Sequence, residues 1–184
     1  FRKYLSWFET YLYSFFGYAT HGLLDACTSY GTQLLWPFSD ERISLNYISV
    51  VDPFLSIIVI LAIIFAIIMK NKLISFFGIF YIFIYLTFGA IQENRAEYVG
   101  KSIANFRGHE SKNLTVKPSL GNLFLWKTIY EDSDFYYVDA VRLFSKLEYC
   151  EGITIKKLDL SNEFFSLNKT SQQYKAVSYT HLTL

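Results

Sequence analysis

His21 and Asp25 are the two residues of the N-terminal half whose types and spacing are best suited to chemistry. They stand four positions apart in the otherwise apolar segment Thr10–Pro37, and helical spacing would place both side chains on one face, one turn apart. An imidazole nitrogen and a carboxylate oxygen suit a divalent transition metal, with zinc as the usual case and manganese or iron as alternatives. The same pair can instead form a structural hydrogen bond, and two ligands alone do not define a metal site.

Three polar residues downstream are candidates to complete a site. Asp52 precedes Pro53, so it is either the N-cap of a helix or a further metal ligand, and the sequence leaves both alternatives open. Gln33 and Arg42 are candidates to bind an anionic substrate such as a lipid phosphate, although Arg42 is equally suited to anchoring at lipid headgroups. The catalytic residues stay unknown, because neither a nucleophile motif nor a glycine-rich phosphate loop occurs.

The elements that must position these residues are long uncharged segments. Pro53–Met69 has 17 residues and Leu73–Gln92 has 20, and only Lys70-Asn71-Lys72 separates them. At about 1.5 Å per helical residue, each covers a hydrocarbon core of roughly 30 Å, the first only just. Buried helices or strands of a soluble protein are the alternative, but two adjacent runs favour a transmembrane hairpin because lipid requires internally satisfied backbone groups.

Together with Thr10–Pro37, these runs predict a membrane α-helical protein with about three transmembrane or membrane-embedded helices. The expected location is the cell membrane, inner or plasma, with a multi-pass topology. Charged residues become frequent after position 91, so we predict a membrane-embedded helical region at residues 1–91 and a small polar domain at residues 92–175. Residues 176–184 are interpreted as a sequencing-adapter artefact, and Phe1 in place of methionine indicates an N-terminally truncated sequence.

The polar domain is expected to be rich in strands, because it mixes β-branched and aromatic residues with polar ones. The predicted strands are Asn122–Tyr130, Phe135–Phe144 and Gly152–Leu160. His109 and Glu110 are interpreted as part of a solvated loop rather than as ligands.

The composition excludes several classes of protein. The 184 residues are 52% hydrophobic and 18% charged, which is not a disordered composition. A formal net charge of +1 gives no strong field to attract nucleic acid. We therefore expect the lipid bilayer and a small-molecule or lipid substrate as partners, with no nucleic acid and no nucleotide.

The order and spacing of a dozen positions resemble a known family. The pattern comprises His21-x-x-x-Asp25, Tyr30-Gly31-Thr32-Gln33, Trp36-Pro37-Phe38-Ser39, Arg42, Asn46 and Asp52-Pro53. It is similar to the membrane-bound metal-dependent hydrolases, also described as LexA-binding, inner-membrane-associated hydrolases of bacteria and archaea. The later segments Lys117–Asn122, Leu125–Lys127 and Tyr136–Arg142 extend the resemblance, which covers about residues 15–145.

The resemblance implies a multi-pass membrane protein with a metal-assisted hydrolytic site. His21 and Asp25 would match the second His/Asp motif of that family, and a first motif rich in His and Asp should lie upstream of this sequence. A lipid-linked or phosphoester substrate is expected from the location alone. The alternative is a non-enzymatic integral membrane protein, transporter-like or a regulatory scaffold, in which His21 and Asp25 form a structural pair.

Overall fold

The computed structural model describes residues 6–144 and 147–157. Within these ranges the chain forms three helices, followed by four strands in one antiparallel sheet of order β1-β2-β3-β4. The elements are α1 (Trp7–Ala26), α2 (Pro53–Met69), α3 (Lys72–Phe106), β1 (Lys112–Pro118), β2 (Leu125–Asp132), β3 (Phe135–Leu143) and β4 (Leu147–Lys156). The predicted artefact at residues 176–184 lies outside the described residues, as does the end of the third predicted strand.

Helix α1 has defined caps at both ends. At its start, the Ser6 hydroxyl accepts the Glu9 N–H while the Glu9 carboxylate accepts the Ser6 N–H, which is a capping box. At its end, the Leu45 N–H donates to the Ala26 carbonyl at 2.8 Å and the Tyr47 N–H donates to the Cys27 carbonyl at 3.0 Å. These bonds satisfy carbonyls that a helix end leaves unpaired, and they fix the loop of residues 27–52 beneath α1.

Helices α2 and α3 form an antiparallel hairpin. The Asp52 carboxylate caps α2 by accepting the Leu55 N–H at 3.1 Å, and Pro53 follows at the first helical position. Lys70 ends α2 in a left-handed conformation with φ of 49°. The side chain of Asn71 then accepts the Leu73 N–H at 2.9 Å and caps α3. The predicted break between the two uncharged runs is therefore confirmed.

The polar part of α3 carries a buried stripe of mostly small residues. Gly89, Gln92, Ala96, Gly100 and Ile103 recur every three or four positions along one face. This face packs against β1, β2 and β3, and the missing side chain of Gly100 leaves room for Leu114 and Thr128. The change in composition near Gln92 consequently falls inside a continuous helix of 35 residues.

The core lies between this stripe and the sheet. Trp126, Val141 and Leu143 are fully buried there with Ala96, and Ile103 is nearly so. The buried amide of Gln92 donates from Nε2 to the carbonyls of Leu123 at 3.0 Å and Leu143 at 3.3 Å. Burial of apolar area holds the sheet against α3, and the hydrogen bonds of the Gln92 amide fix the position along α3 at which the sheet packs.

The predicted number of membrane helices is wrong. Among the described residues, α3 alone is long and apolar enough to cross a membrane, and α2 is an apolar helix of only 17 residues. Helix α1 has 20 residues, but Glu9, His21 and Asp25 lower its apolar character. In residues 6–144 and 147–157 the fold is thus three helices, of which one is long and apolar, followed by a strand domain.

The strand-rich polar domain is confirmed, with changes in its boundaries. β2 and β3 overlap the predicted strands, and β4 begins five residues earlier than Gly152. β1 was not predicted; it is an edge strand that ends at Pro118, a residue that edge positions tolerate because no ladder donor is required there.

Candidate functional site

His21 and Asp25 lie together on the last turns of α1. Their Nε2 and Oδ2 atoms are 3.5 Å apart, and both side chains are exposed. This separation is longer than a good hydrogen bond. Two ligands of one tetrahedral zinc ion, each bound at roughly 2.0–2.2 Å, would stand about 3.4 Å apart. The donor atoms and their spacing therefore fit two ligands of a single cation.

The loop of residues 27–52 folds back on itself and lies next to the His21–Asp25 pair. Thr28 makes a parallel bridge with Ile48, and Thr32 makes an antiparallel bridge with Ile43. Gly31 lies between them with φ of 68°, and a Cβ there would overlap the Ile43 carbonyl oxygen. Only glycine suits this position, because it combines a left-handed backbone with a close backbone approach.

A polar cleft of about 410 Å³ opens between the end of α1 and this loop. Asp25, Gln33 and Arg42 line it together with Tyr30 and Trp36. The Arg42 guanidinium lies 4.5 Å from the centre of the Tyr30 ring and donates to the Tyr30 carbonyl at 3.3 Å. The Gln33 amide donates to the Asp40 carbonyl at 3.1 Å. The structure thus brings three of the five predicted site residues to one cleft.

A second, apolar cleft of about 530 Å³ lies between α1 and α3. His21 and Leu24 line it from α1, and Ile82, Phe83 and Leu86 line it from α3. His21 therefore borders the apolar cleft while Asp25, one turn further along, borders the polar cleft. The pair stands at the junction of two chemically different spaces.

Asp52 is placed apart from this pair. It is buried, its Oδ1 accepts the Leu55 N–H, and its Oδ2 accepts the Tyr85 hydroxyl at 2.8 Å. Of the two alternatives for Asp52, the structure shows the N-cap. Residues 6–144 and 147–157 contain no group of three or more His, Cys, Asp or Glu that could hold a metal, so Asp52 does not form such a group with His21 and Asp25.

Sequence reasoning missed a polar cluster at the far end of α3. Arg107 follows the helix and donates to both oxygens of Asp139, at 2.7 and 3.0 Å, and to the Tyr130 hydroxyl at 3.1 Å. His109 lies 3.0 Å from that hydroxyl through Nδ1, and its ring packs 4.4 Å from the Tyr137 ring. The predicted loop is therefore present, and Glu110 is exposed in it, but His109 is half-buried against Tyr130 and Tyr137 and is not fully solvated. These partners are over 20 positions apart in sequence, and no local pattern indicates such pairing.

Comparison with known proteins identifies the family. The family model described as YdjM inner membrane protein matches residues 1–96, which is just over half of the 184 residues. The chain belongs to this family. The match includes α1, the loop of residues 27–52, α2 and the apolar part of α3, and therefore all residues that line the two clefts; it ends before the sheet. No curated protein and no solved structure shows a significant match to the chain.

Membership of the YdjM family supports the predicted inner-membrane location. An inner-membrane location is consistent with the length and apolar composition of α3, which among the described residues is the helix able to cross a membrane. The hydrolytic activity and the metal dependence that the sequence resemblance implies stay predictions.

Proposed function

We propose that this YdjM-family chain contributes to a membrane-bound metal-dependent hydrolase, in which His21 and Asp25 hold a divalent metal. Zinc is the first choice, and manganese or iron are the alternatives. The observation that carries the proposal is the 3.5 Å spacing of the two donor atoms on one helical face.

A divalent metal held by the pair would supply Lewis-acid chemistry, activating water for attack at neutral pH and polarising the bond to be hydrolysed. His21 and Asp25 are two ligands, fewer than a complete set. The resemblance described above implies further ligands in a motif upstream of His21. The role of the described residues is to hold the imidazole and the carboxylate at a fixed distance from each other. The capping box of α1 and the hydrogen bonds at its C-terminal end stabilise the helix that does so.

The two clefts favour an amphiphilic substrate, such as a lipid-linked phosphoester. Its apolar part would lie between α1 and α3, and its polar head would lie in the cleft lined by Gln33 and Arg42. The bond between the two parts would then stand beside the His21–Asp25 pair. The Asp25 carboxylate repels an anionic head, and a cation bound to that carboxylate would reduce the repulsion, so bound metal should strengthen substrate binding.

We also propose that α2 crosses the membrane together with α3. Its 17 residues extend about 25 Å, slightly less than the roughly 30 Å core, and a short span is accommodated by local thinning of the bilayer. The antiparallel contacts of Tyr85 with Asp52 and of Tyr81 with Phe54 pair the two helices side by side. The protein would then be multi-pass.

The test is the metal content of intact protein purified in detergent from cells and measured by mass spectrometry. We expect about one metal per chain in the wild type. Asp25→Asn should lower the metal affinity by at least about 100-fold, because even changes in groups that only support a ligand cost roughly 10- to 100-fold. Asp40→Asn removes an exposed carboxylate of the neighbouring loop of residues 27–52 and serves as the matched control, which should leave the metal content unchanged.

The alternative function makes the opposite prediction. In a non-enzymatic membrane protein with a structural pair, asparagine at position 25 would preserve much of the interaction with His21. Wild-type protein without metal above background, or equal metal in wild type and Asp25→Asn, would contradict the hydrolase proposal.

A further inference from the structure

The two ends of the sheet differ in chemistry. At one end, the loop of residues 119–124 connects β1 to β2 and carries no charged side chain, and the connection from β3 to β4 includes one charged residue, Lys146. Leu120 and Phe144 are 75% and 58% exposed there, although both are large and apolar. At the other end, the connections carry Glu110, Lys112, Asp132, Asp134 and Lys157.

The apolar end of the sheet packs against the part of α3 where the uncharged run Leu73–Gln92 ends. The Phe124 ring packs 6.0 Å from the ring of Phe88, which belongs to that run, and 5.4 Å from the ring of Phe144. Phe88 is four residues before Gln92, or about 6 Å along the helix axis. The buried Gln92 amide holds the carbonyls of Leu123 and Leu143 at that height.

The start of α2 lies beside the same end of the sheet. A Cβ on Gly121 would come within 3.1 Å of the Pro53 ring, and the Gly121 N–H donates to the Ser49 hydroxyl at 3.1 Å. Pro53 is the first residue of the apolar helix α2. The loop of residues 119–124 is thus in contact with both α2 and α3, at the end of the helical hairpin opposite Asn71.

We infer that the sheet domain rests on the membrane through an apolar rim formed by Leu120, Phe124 and Phe144. The rim continues the lipid-facing surface of Phe88 onto the sheet, and aromatic side chains are favoured at the boundary between headgroups and acyl chains. Arg142 lies just beyond the rim, 3.5 Å from Glu148, at a height suited to headgroups. The inference does not depend on the proposed hydrolase activity.

Contact with lipid fixes the orientation of the domain. Gln92 and the rim hold one end of the sheet at the boundary, while α3 continues to Phe106, about 27 Å beyond Phe88. The charged end of the sheet therefore points into water. The sheet stands upright on the membrane instead of moving freely at the end of α3.

Nitroxide labels test this orientation. Cys27 and Cys150 are first replaced with serine, and single cysteines are then introduced by Leu120→Cys, Phe144→Cys and, as the matched control, Phe106→Cys. Phe106 is also an exposed aromatic residue, 87% accessible, but lies at the distal end of α3. The labelled intact protein is reconstituted in vesicles of phosphatidylethanolamine and phosphatidylglycerol, and collision rates with oxygen and with a water-soluble nickel chelate are measured.

Labels at positions 120 and 144 are expected to collide with oxygen and to be shielded from the nickel chelate at least about threefold more than the label at position 106. Equal access of the chelate to all three sites would overturn the inference, because the rim would then face water. Exclusion of both reagents at 120 and 144 would also overturn it, since another protein surface or a second copy of the chain would then cover the rim.

Discussion

Asp139→Ala is expected to lower the free energy of unfolding of the sheet domain by about 3–5 kcal/mol, since it removes one partner of a buried ion pair. The Asp139 side chain is 2% exposed and accepts two hydrogen bonds from the Arg107 guanidinium. It also accepts the Gly152 N–H at 3.1 Å, so alanine would leave a donor of β4 without this partner. These contacts join the end of α3 to β3 and β4, and the hydrogen bonds that Arg107 donates to Asp139 are the main cause of the raised pKa of Arg107.

The change is measured by urea unfolding of the intact protein in detergent, followed by the fluorescence of the buried Trp126. The exposed Trp7 and Trp36 are first replaced with phenylalanine to isolate that signal. Glu148→Ala is the matched control, because it breaks the Arg142–Glu148 pair, whose side chains are 62% and 60% exposed. Exposed pairs contribute less than about 1 kcal/mol. Similar losses for Asp139→Ala and Glu148→Ala would show that Arg107 does not fasten the helix to the sheet.

Gly89→Ala is expected to displace the loop of residues 27–52 and to destabilise the protein by about 1–3 kcal/mol. A Cβ at position 89 would overlap the Tyr47 carbonyl oxygen, which is backbone and cannot move aside as a flexible side chain can. Alanine in place of a helical glycine normally stabilises by about 1 kcal/mol, so the overlap reverses the usual sign. Since the Tyr47 N–H bonds to the Cys27 carbonyl, a shift there moves the floor of the polar cleft.

Limited proteolysis within residues 27–52 reports the displacement, and thermal unfolding in detergent reports the stability. Gly17→Ala in α1 is the control, because a Cβ at that position would meet nothing within 4 Å. It should stabilise slightly and leave the cleavage pattern unchanged. If Gly89→Ala also stabilises and the loop stays protected, the close approach of α3 to Tyr47 has no structural importance.

Local sequence patterns predict a feature correctly where the residues of one short segment decide it. The bounds of α2 follow from an uncharged run that begins after a capping Asp52 and ends before Lys70, and the structure has the same bounds. The pairing of His21 with Asp25 follows from helical spacing alone. The apolar character of α3 up to Gln92 is equally local, but its continuation to Phe106 is not, because small residues buried against a sheet resemble an ordinary polar segment in the sequence.

Features that depend on distant partners could not be predicted. The position of Asp52 is decided by Tyr85, which comes from the other helix of the hairpin. The polar cleft exists because the loop of residues 27–52 folds back on Cys27 and Thr28, through bonds between backbone groups that carry no side-chain signature. The apolar cleft likewise requires α1 and α3 to face each other. Gln33 and Arg42 could therefore be proposed by residue type, while their common cleft with Asp25 required the structure.

The central claim is that the imidazole of His21 and the carboxylate of Asp25 bind one cation, and X-ray absorption at the zinc edge of intact, zinc-loaded protein tests it most directly. We predict scattering from at least one imidazole together with oxygen ligands, and a loss of part of the imidazole contribution in His21→Ala. An unchanged spectrum in His21→Ala, or a spectrum of zinc surrounded by water alone in the wild type, would contradict the claim.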